Sequence, residues 1–421
     1  MRISMVQRFR ERLGLSRNVF VLGWVSFLTD VSSEMIFTAL PLFLSNILGV
    51  GTFFIGLIEG LGESAANVLK IASGWFSDRL GERKWITASG YGLSTIVKPF
   101  LLIASSGVGV LFIRLLERAG KGIRVAPRDA LIADCTTSGT AGRGFGFHRA
   151  MDTLGAVVGI SVAATVIYFL IGSDQLITRQ TFNWLVIIGV LPAVLAVLLI
   201  VFFVRERRMS RAERQAACPA RSPKVLDRRF KIFLTVMILF NLGNSADAFL
   251  VLRANSLGIS LFYIFILLIL FNLVYAAFAY PAGRLSDRVG RKKLIVAGWV
   301  IYVASYLGLA LVSEGWHVIL IVMVYGLYSG IADGVCKAFV ADTVSPHRRG
   351  TAYGLYHGLV GFALLLASLI AGALWQWVGP SAPFFFGAAM AAAAIVGFAL
   401  FIPENAQHSP GNSTICYGRL Q

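Results

Sequence analysis

Twelve apolar stretches run through the chain, at about 18–46, 52–77, 85–105, 107–133, 145–171, 181–204, 231–253, 259–283, 293–313, 317–341, 351–377 and 382–402. Each is close to the roughly 20 residues that cross a bilayer as a helix. Apolar residues make up 57% of the sequence and charged ones 14%, more grease than a soluble fold of this length can hide. A barrel strand would be about 10 residues of alternating pattern, so the spanning form is helical. The expectation is an all-α membrane protein of twelve transmembrane helices.

One charged turn occurs twice. Gly74-Trp-Phe-Ser-Asp78-Arg79-Leu-Gly81-Glu82-Arg83-Lys84 follows span two. Gly283-Arg284-Leu-Ser-Asp287-Arg288-Val-Gly290-Arg291-Lys292-Lys293 follows span eight, about half the chain later. Asp134 with Arg143 after span four is matched by Asp342 with Arg349 after span ten, and Gly146-Phe-His148 is echoed by Gly354-Leu-Tyr-His357. The chain therefore divides into two related halves: 1–204 and 231–403, joined by a linker at 205–230 and followed by a polar tail at 404–421.

The formal net charge of +17 would suit nucleic acid, but its distribution does not. The basic residues gather in the amino-terminal tail, the two repeated turns and the linker, while the alternate loops carry almost none. That asymmetry is the positive-inside rule, and it places both termini and the linker in the cytoplasm, with the protein in the inner membrane. Basic loops beside an anionic leaflet explain the charge without nucleic acid. Cys135, Cys218, Cys336 and Cys416 are scattered without a metal or redox spacing and read as free thiols. No phosphate-binding loop or metal cluster is visible, so the chain reads as neither an enzyme nor a nucleotide-driven pump, with no cofactor.

Ionisable groups inside the spans are the functional candidates, since each costs about 2.5–3.5 kcal/mol at mid-bilayer unless it faces water or a partner. Span one carries Asp30 and Glu34 one turn apart; span two carries Glu59, Glu63 and Lys70 on one stripe. Span four presents Arg114, Arg118, Lys121, Arg124 and Arg128 at helical spacing, with Pro127 expected to bend it. For Arg124 and Arg128 the first expectation is a latch to carboxylates such as Asp78 and Asp134. For Arg114, Arg118 and Lys121 it is a role on the substrate or proton path. Lys98 in span three reads as a partner for an acid of span one or two, or as part of that path. Span five has His148, which fits an interface histidine or a relay, then Asp152 and a Gly155-x-x-x-Gly159 packing face. Asp247 marks span seven, and Asp333 with Lys337 forms an i, i+4 pair in span ten.

The span count, the two halves and the repeated turn resemble the major facilitator superfamily. The resemblance implies two pseudo-symmetric six-helix bundles around a central cavity, working by alternating access. It also implies a gate at the cytoplasmic end, in which Asp78 faces the start of helix eleven and Asp287 that of helix five. Gly74, Arg79, Gly81, Arg124, Arg128, Asp134 and Arg143 would complete it with Gly283, Arg288, Gly290, Asp342 and Arg349. Arg114-Leu-Leu-Glu117 is similar to a family pattern tied to proton coupling, with Arg118 where glycine is usual. Glu82 stands where the family usually has a base. Gly155-x-x-x-Gly159 resembles part of an antiporter signature without its proline.

The function expected is secondary active transport of a small molecule, working as a monomer with protons as the coupling ion. Export of an amphiphilic compound is the first reading. Movement of an anionic metabolite or chelate, drawn by Arg114, Arg118 and Lys121, is the second. A non-transporting receptor or membrane enzyme is the remote third.

Overall fold

The computed structural model describes residues 10–136, 139–171, 177–206, 228–244, 248–259 and 261–402. Most of the linker, the tail and Asp247 lie outside them. The first half holds α1 (Arg17–Phe37), α2 (Leu40–Asn46), α3 (Thr52–Leu80), α4 (Lys84–Val97), α5 (Gly107–Asp134), α6 (Ala141–Ile171) and α7 (Arg179–Phe203). The second holds α8 (Arg228–Gly243), α9 (Ala248–Ser256), α10 (Leu261–Val289), α11 (Arg291–Leu311), α12 (Gly315–Thr343), α13 (Arg349–Trp377) and α14 (Ala382–Phe401). Counting α1 with α2 and α8 with α9 as one span each gives twelve among the described residues.

Local sequence sets several ends. The Ser16, Ser106 and Thr178 hydroxyls accept backbone N–H groups at the starts of α1, α5 and α7, satisfying donors that the helix leaves free. Gly81 closes α3 in the left-handed region, φ 64°, and Gly290 starts α11 at φ 103°, where a Cβ would be strained. Lys98-Pro99 ends α4, which passes into a 3-10 turn over Lys98–Leu102. Pro127, expected to bend its helix, sits inside an unbroken α5.

Among the described residues, eight spans are long and apolar enough to cross a membrane by composition alone, α1 with α2 counting as one. The spans that fall short are α3, α4, α5 and the broken α8–α9. α3 and α5 fall short because of their embedded charges, which pair with one another or line the cavity, and α4 is only 14 residues long. Within the halves, α1 packs on α6 and α7, α3 on α5, α10 on α12, and α11 on α12 and α14. Between the halves, α3 meets α13 and α6 meets α10, with α5–α13 and α6–α12 inside them. The second half has an aromatic core: Phe240 stacks on Trp299 at 4.7 Å and Tyr302 on Tyr306 at 4.1 Å.

Candidate functional site

The halves interlock at the end that carries the basic turns. Asp78 accepts N–H groups of Gly350 (3.0 Å) and Thr351 (2.6 Å) at the start of α13, and the Thr351 hydroxyl at 2.8 Å. Asp287 accepts those of Gly142 and Arg143 at the start of α6, both at 3.0 Å. A carboxylate at a helix amino terminus meets free N–H groups and the positive end of the dipole, worth up to about 2 kcal/mol when partly buried. Glycines let the backbones meet. A Cβ on Gly74 would lie 2.2 Å from the Gly350 carbonyl oxygen, and one on Gly283 would lie 2.1 Å from that of Gly142.

The cations of this latch differ from those expected. Arg83 bridges Asp78, at 3.3 Å, and Asp134. Its counterpart Arg291 bridges Asp287 (2.5 Å) and Asp342 (2.9 Å). Arg349 reaches Asp134 across the interface at 3.0 Å, while Arg143 works chiefly through its backbone, its Nε being 3.9 Å from Asp287. Arg79 and Arg288 are exposed, because one residue beyond each aspartate the helix has turned by about 100°. Arg124 and Arg128 also lie away from the latch. Arg124 donates to Ser94 Oγ at 2.7 Å and covers the Tyr91 ring, and Arg128 pairs with its neighbour Asp129 at 2.9 Å. Arg83 occupies the position that would have needed them. Lys84 and Lys292 bind carbonyls at the ends of α7 and α14.

Between the halves, beside the latch, lies a cavity of about 260 Å³. Lys70, Lys121, Arg124, Arg128, Arg149 and Lys337 line it against Asp30, Asp152 and Asp333, so cations outnumber acids by six to three. An open depression of about 400 Å³ beside Lys84, Trp85 and Glu206 lies at the rim, away from these groups.

The other embedded charges sort by partner. Glu59 receives a two-pronged contact from Arg114, at 3.0 and 2.8 Å, and Arg114 also holds Glu117 at 2.9 Å. Arg118 reaches Glu63 at 3.0 Å and Glu59 at 3.4 Å, and Glu63 lies 3.5 Å from Lys70. Arg114 and Arg118 are thus committed to three carboxylates. Glu34 stands outside the cavity lining, one turn beyond Asp30, bonded by Thr38 at 3.4 Å. Lys98, expected to meet an acid, is buried and donates instead to Ser32 (2.6 Å) and Ser33 (3.1 Å). Hydroxyls of span one were nearer than its carboxylates. Lys121 makes no hydrogen bond or ion pair among the described residues, and it faces the cavity. Asp30 and Asp152 line the cavity from α1 and α6, and Asp152 accepts from Ser26 at 2.5 Å and Arg149 at 2.6 Å.

Several groups had no role assigned from sequence: Arg149, Asp152 and His357, which line the cavity, and Asp129 behind His357. Arg149 contacts the Tyr275 hydroxyl and lies 2.9 Å from Asp333, in the other half. His357 Nε2 lies 2.7 Å from Asp129 Oδ2, also across the interface. Their signal was positional: Arg149 and His357 occupy equivalent places in the two repeats, three residues beyond Gly146 and Gly354. His148 is buried with Nε2 unpartnered among the described residues. Asp333 and Lys337 form the expected pair, at 3.5 Å.

Two bundles sealed at one end, with a charged cavity at their interface, define a membrane transporter. The chain matches the family profile described as Major Facilitator Superfamily over residues 22–252 and 232–415. It belongs to that superfamily. It is 36% identical over 383 residues to an MFS-type transporter of Methanocaldococcus jannaschii, covering 90% of this chain and 93% of the relative. It is 24% identical over 308 residues to the class B tetracycline resistance protein of Escherichia coli, covering 70% and 73%. Among solved structures, the human organic anion transporter MFSD10 superposes with a TM-score of 0.76 at 17% identity, covering 91% of this chain and 99% of that one. The Escherichia coli fucose:proton symporter superposes with a TM-score of 0.74 at 14% identity, covering 92% and 98%.

Proposed function

We propose that the chain carries a small organic anion through the central cavity by alternating access, coupled to protons. The carrying observation is the excess of cations lining the cavity, with Lys121 and Arg124 bound to no carboxylate. An unpaired cation in a membrane interior is costly, and an anionic ligand would offset that cost. Asp30, which lines the cavity and forms no ion pair among the described residues, supports a coupling role better than Glu59 or Glu63, whose charges guanidinium groups already balance. The basic end faces the cytoplasm of the inner membrane on the charge asymmetry of the loops, so the latch closes the cavity on that side.

Export of an amphiphilic compound is the second reading, favoured by the relative named for tetracycline resistance. Proteoliposomes loaded with an inside-acid or inside-alkaline buffer separate the two. Anion transport should be lost in Lys121→Gln and Arg124→Gln. Efflux of neutral or cationic dyes that survives both substitutions would favour the second reading.

A further inference from the structure

Two contacts tie the halves together at the cavity, and the repeat relates their basic members. Arg149 on α6 reaches Asp333 on α12, and His357 on α13 reaches Asp129 on α5. Arg149 and His357 stand at equivalent positions of the two repeats, so one interface position carries a permanent cation and its twin carries an imidazole. A guanidinium keeps its charge at every working pH, whereas an imidazole titrates near about 6.5 before its surroundings act on it. Asp129 is fully buried, with Arg128 on its other oxygen. These contacts lie on the α5–α13 and α6–α12 faces, which must part when the basic end opens.

We propose that His357 and Asp129 form a proton-binding site shared across the interface, whose occupancy sets how firmly the basic end stays closed. With the proton on His357, the contact is an ion pair and a charge-assisted hydrogen bond. Without it, only a neutral N–H donor or a bare ring nitrogen faces Asp129, and the tie weakens. The proton exchanges with the water of the cavity, which His357 lines. The groups that face the imidazole are Asp129 on α5, Lys337 and Asp333 on α12, and Lys70 on α3. Tyr353 and Tyr356 of its own helix flank the ring. This site is separate from Asp30 and Asp152. It rests on the alternating-access reading and not on the identity of the substrate.

The test uses the full chain in lipid nanodiscs with spin labels at Arg79→Cys and Arg288→Cys, two exposed positions on opposite halves at the basic end, in a background without native cysteines. Distances are recorded from pH 5.5 to 8.5. In the otherwise unaltered chain, the short-distance population should grow with acid, by at most about tenfold in open-to-closed ratio per pH unit for a single proton. His357→Arg, which copies the permanent cation of the equivalent position, should hold the short distance at every pH. His357→Gln should shift towards the long distance and lose the pH response. A full response retained in both variants, or none in the parent, overturns the proposal. Should the variants fail to fold, ring-nitrogen spectra of 15N-labelled histidine in the parent decide it. One of the five histidines should titrate in step with the distance change, and none doing so overturns the site. Anion uptake is a separate assay, so loss of one conclusion does not carry the other with it.

Discussion

Arg149 of the first bundle lies 2.9 Å from Asp333 of the second, and the same guanidinium holds Asp152 at 2.6 Å on its own helix. One cation thus balances an acid on each side of the interface at the cavity. Arg149→Gln and Asp333→Asn should each slow transport, and the double variant should cost less than the two singles together. A double-mutant cycle on thermal unfolding should give a coupling of about 1–3 kcal/mol; simple additivity would mean that the two side chains do not act as a unit.

Asp78 joins the halves through two backbone N–H groups and one hydroxyl. Asp78→Asn removes the charge and places an amide donor against donors. The closed arrangement should weaken by about 2 kcal/mol, a roughly thirtyfold shift towards an open basic end. Distances between spin labels at the ends of α3 and α10 read this directly. Asp287→Asn should do the same through α6, because its geometry is equivalent.

Arg114 sits buried between Glu59 and Glu117, with Phe37 4.0 Å below its plane. Glu117 is almost fully buried and keeps only a distant Arg118 contact, 4.0 Å, if Arg114 is removed. Arg114→Ala should therefore destabilise the fold by about 3 kcal/mol or more, seen as a fall in melting temperature in detergent. Lys121→Gln, which strips no carboxylate of a bonded partner, should change melting little and transport strongly. The opposite ranking would move the substrate path from Lys121 to Arg114.

Cys135 caps α5 outside the membrane span, with Asn18 donating to its sulfur at 3.3 Å. Burial pushes the thiol up to about 11. Below that value it is mostly the unreactive neutral form, and its thiolate fraction climbs about tenfold per pH unit up to it. Maleimide labelling near pH 7 should be on the order of a hundredfold slower than for a free cysteine, whose thiol titrates near about 8.5. Labelling as fast as free cysteine would show that the end of α5 is open.

The fold was legible because bilayer thickness dictates the period of the apolar stretches, and the repeated turn fixed the two halves. The placement of Asp78 and Asp287 opposite helix starts followed from the resemblance carried by that turn. The cations were less legible. A helical stripe from Arg114 to Arg128 shows which residues share a face, but not which carboxylate of another helix arrives beside each one. Arg83 took the partners expected for Arg124 and Arg128 because a turn can bend back on itself. Lys98 found hydroxyls, and Arg149 and His357 were passed over because their partners come from the other half, at distances no local pattern encodes.

The cation excess in the cavity is the centre of this account, and charge movement is its most direct test. Proteoliposomes adsorbed on a sensor membrane are challenged with monocarboxylates, dicarboxylates and organic phosphates, with and without a pH gradient. At least one of these anions should evoke a current that responds to the gradient and vanishes in Lys121→Gln. Silence towards every anion, with currents from neutral or cationic amphiphiles that persist in Lys121→Gln, would contradict it.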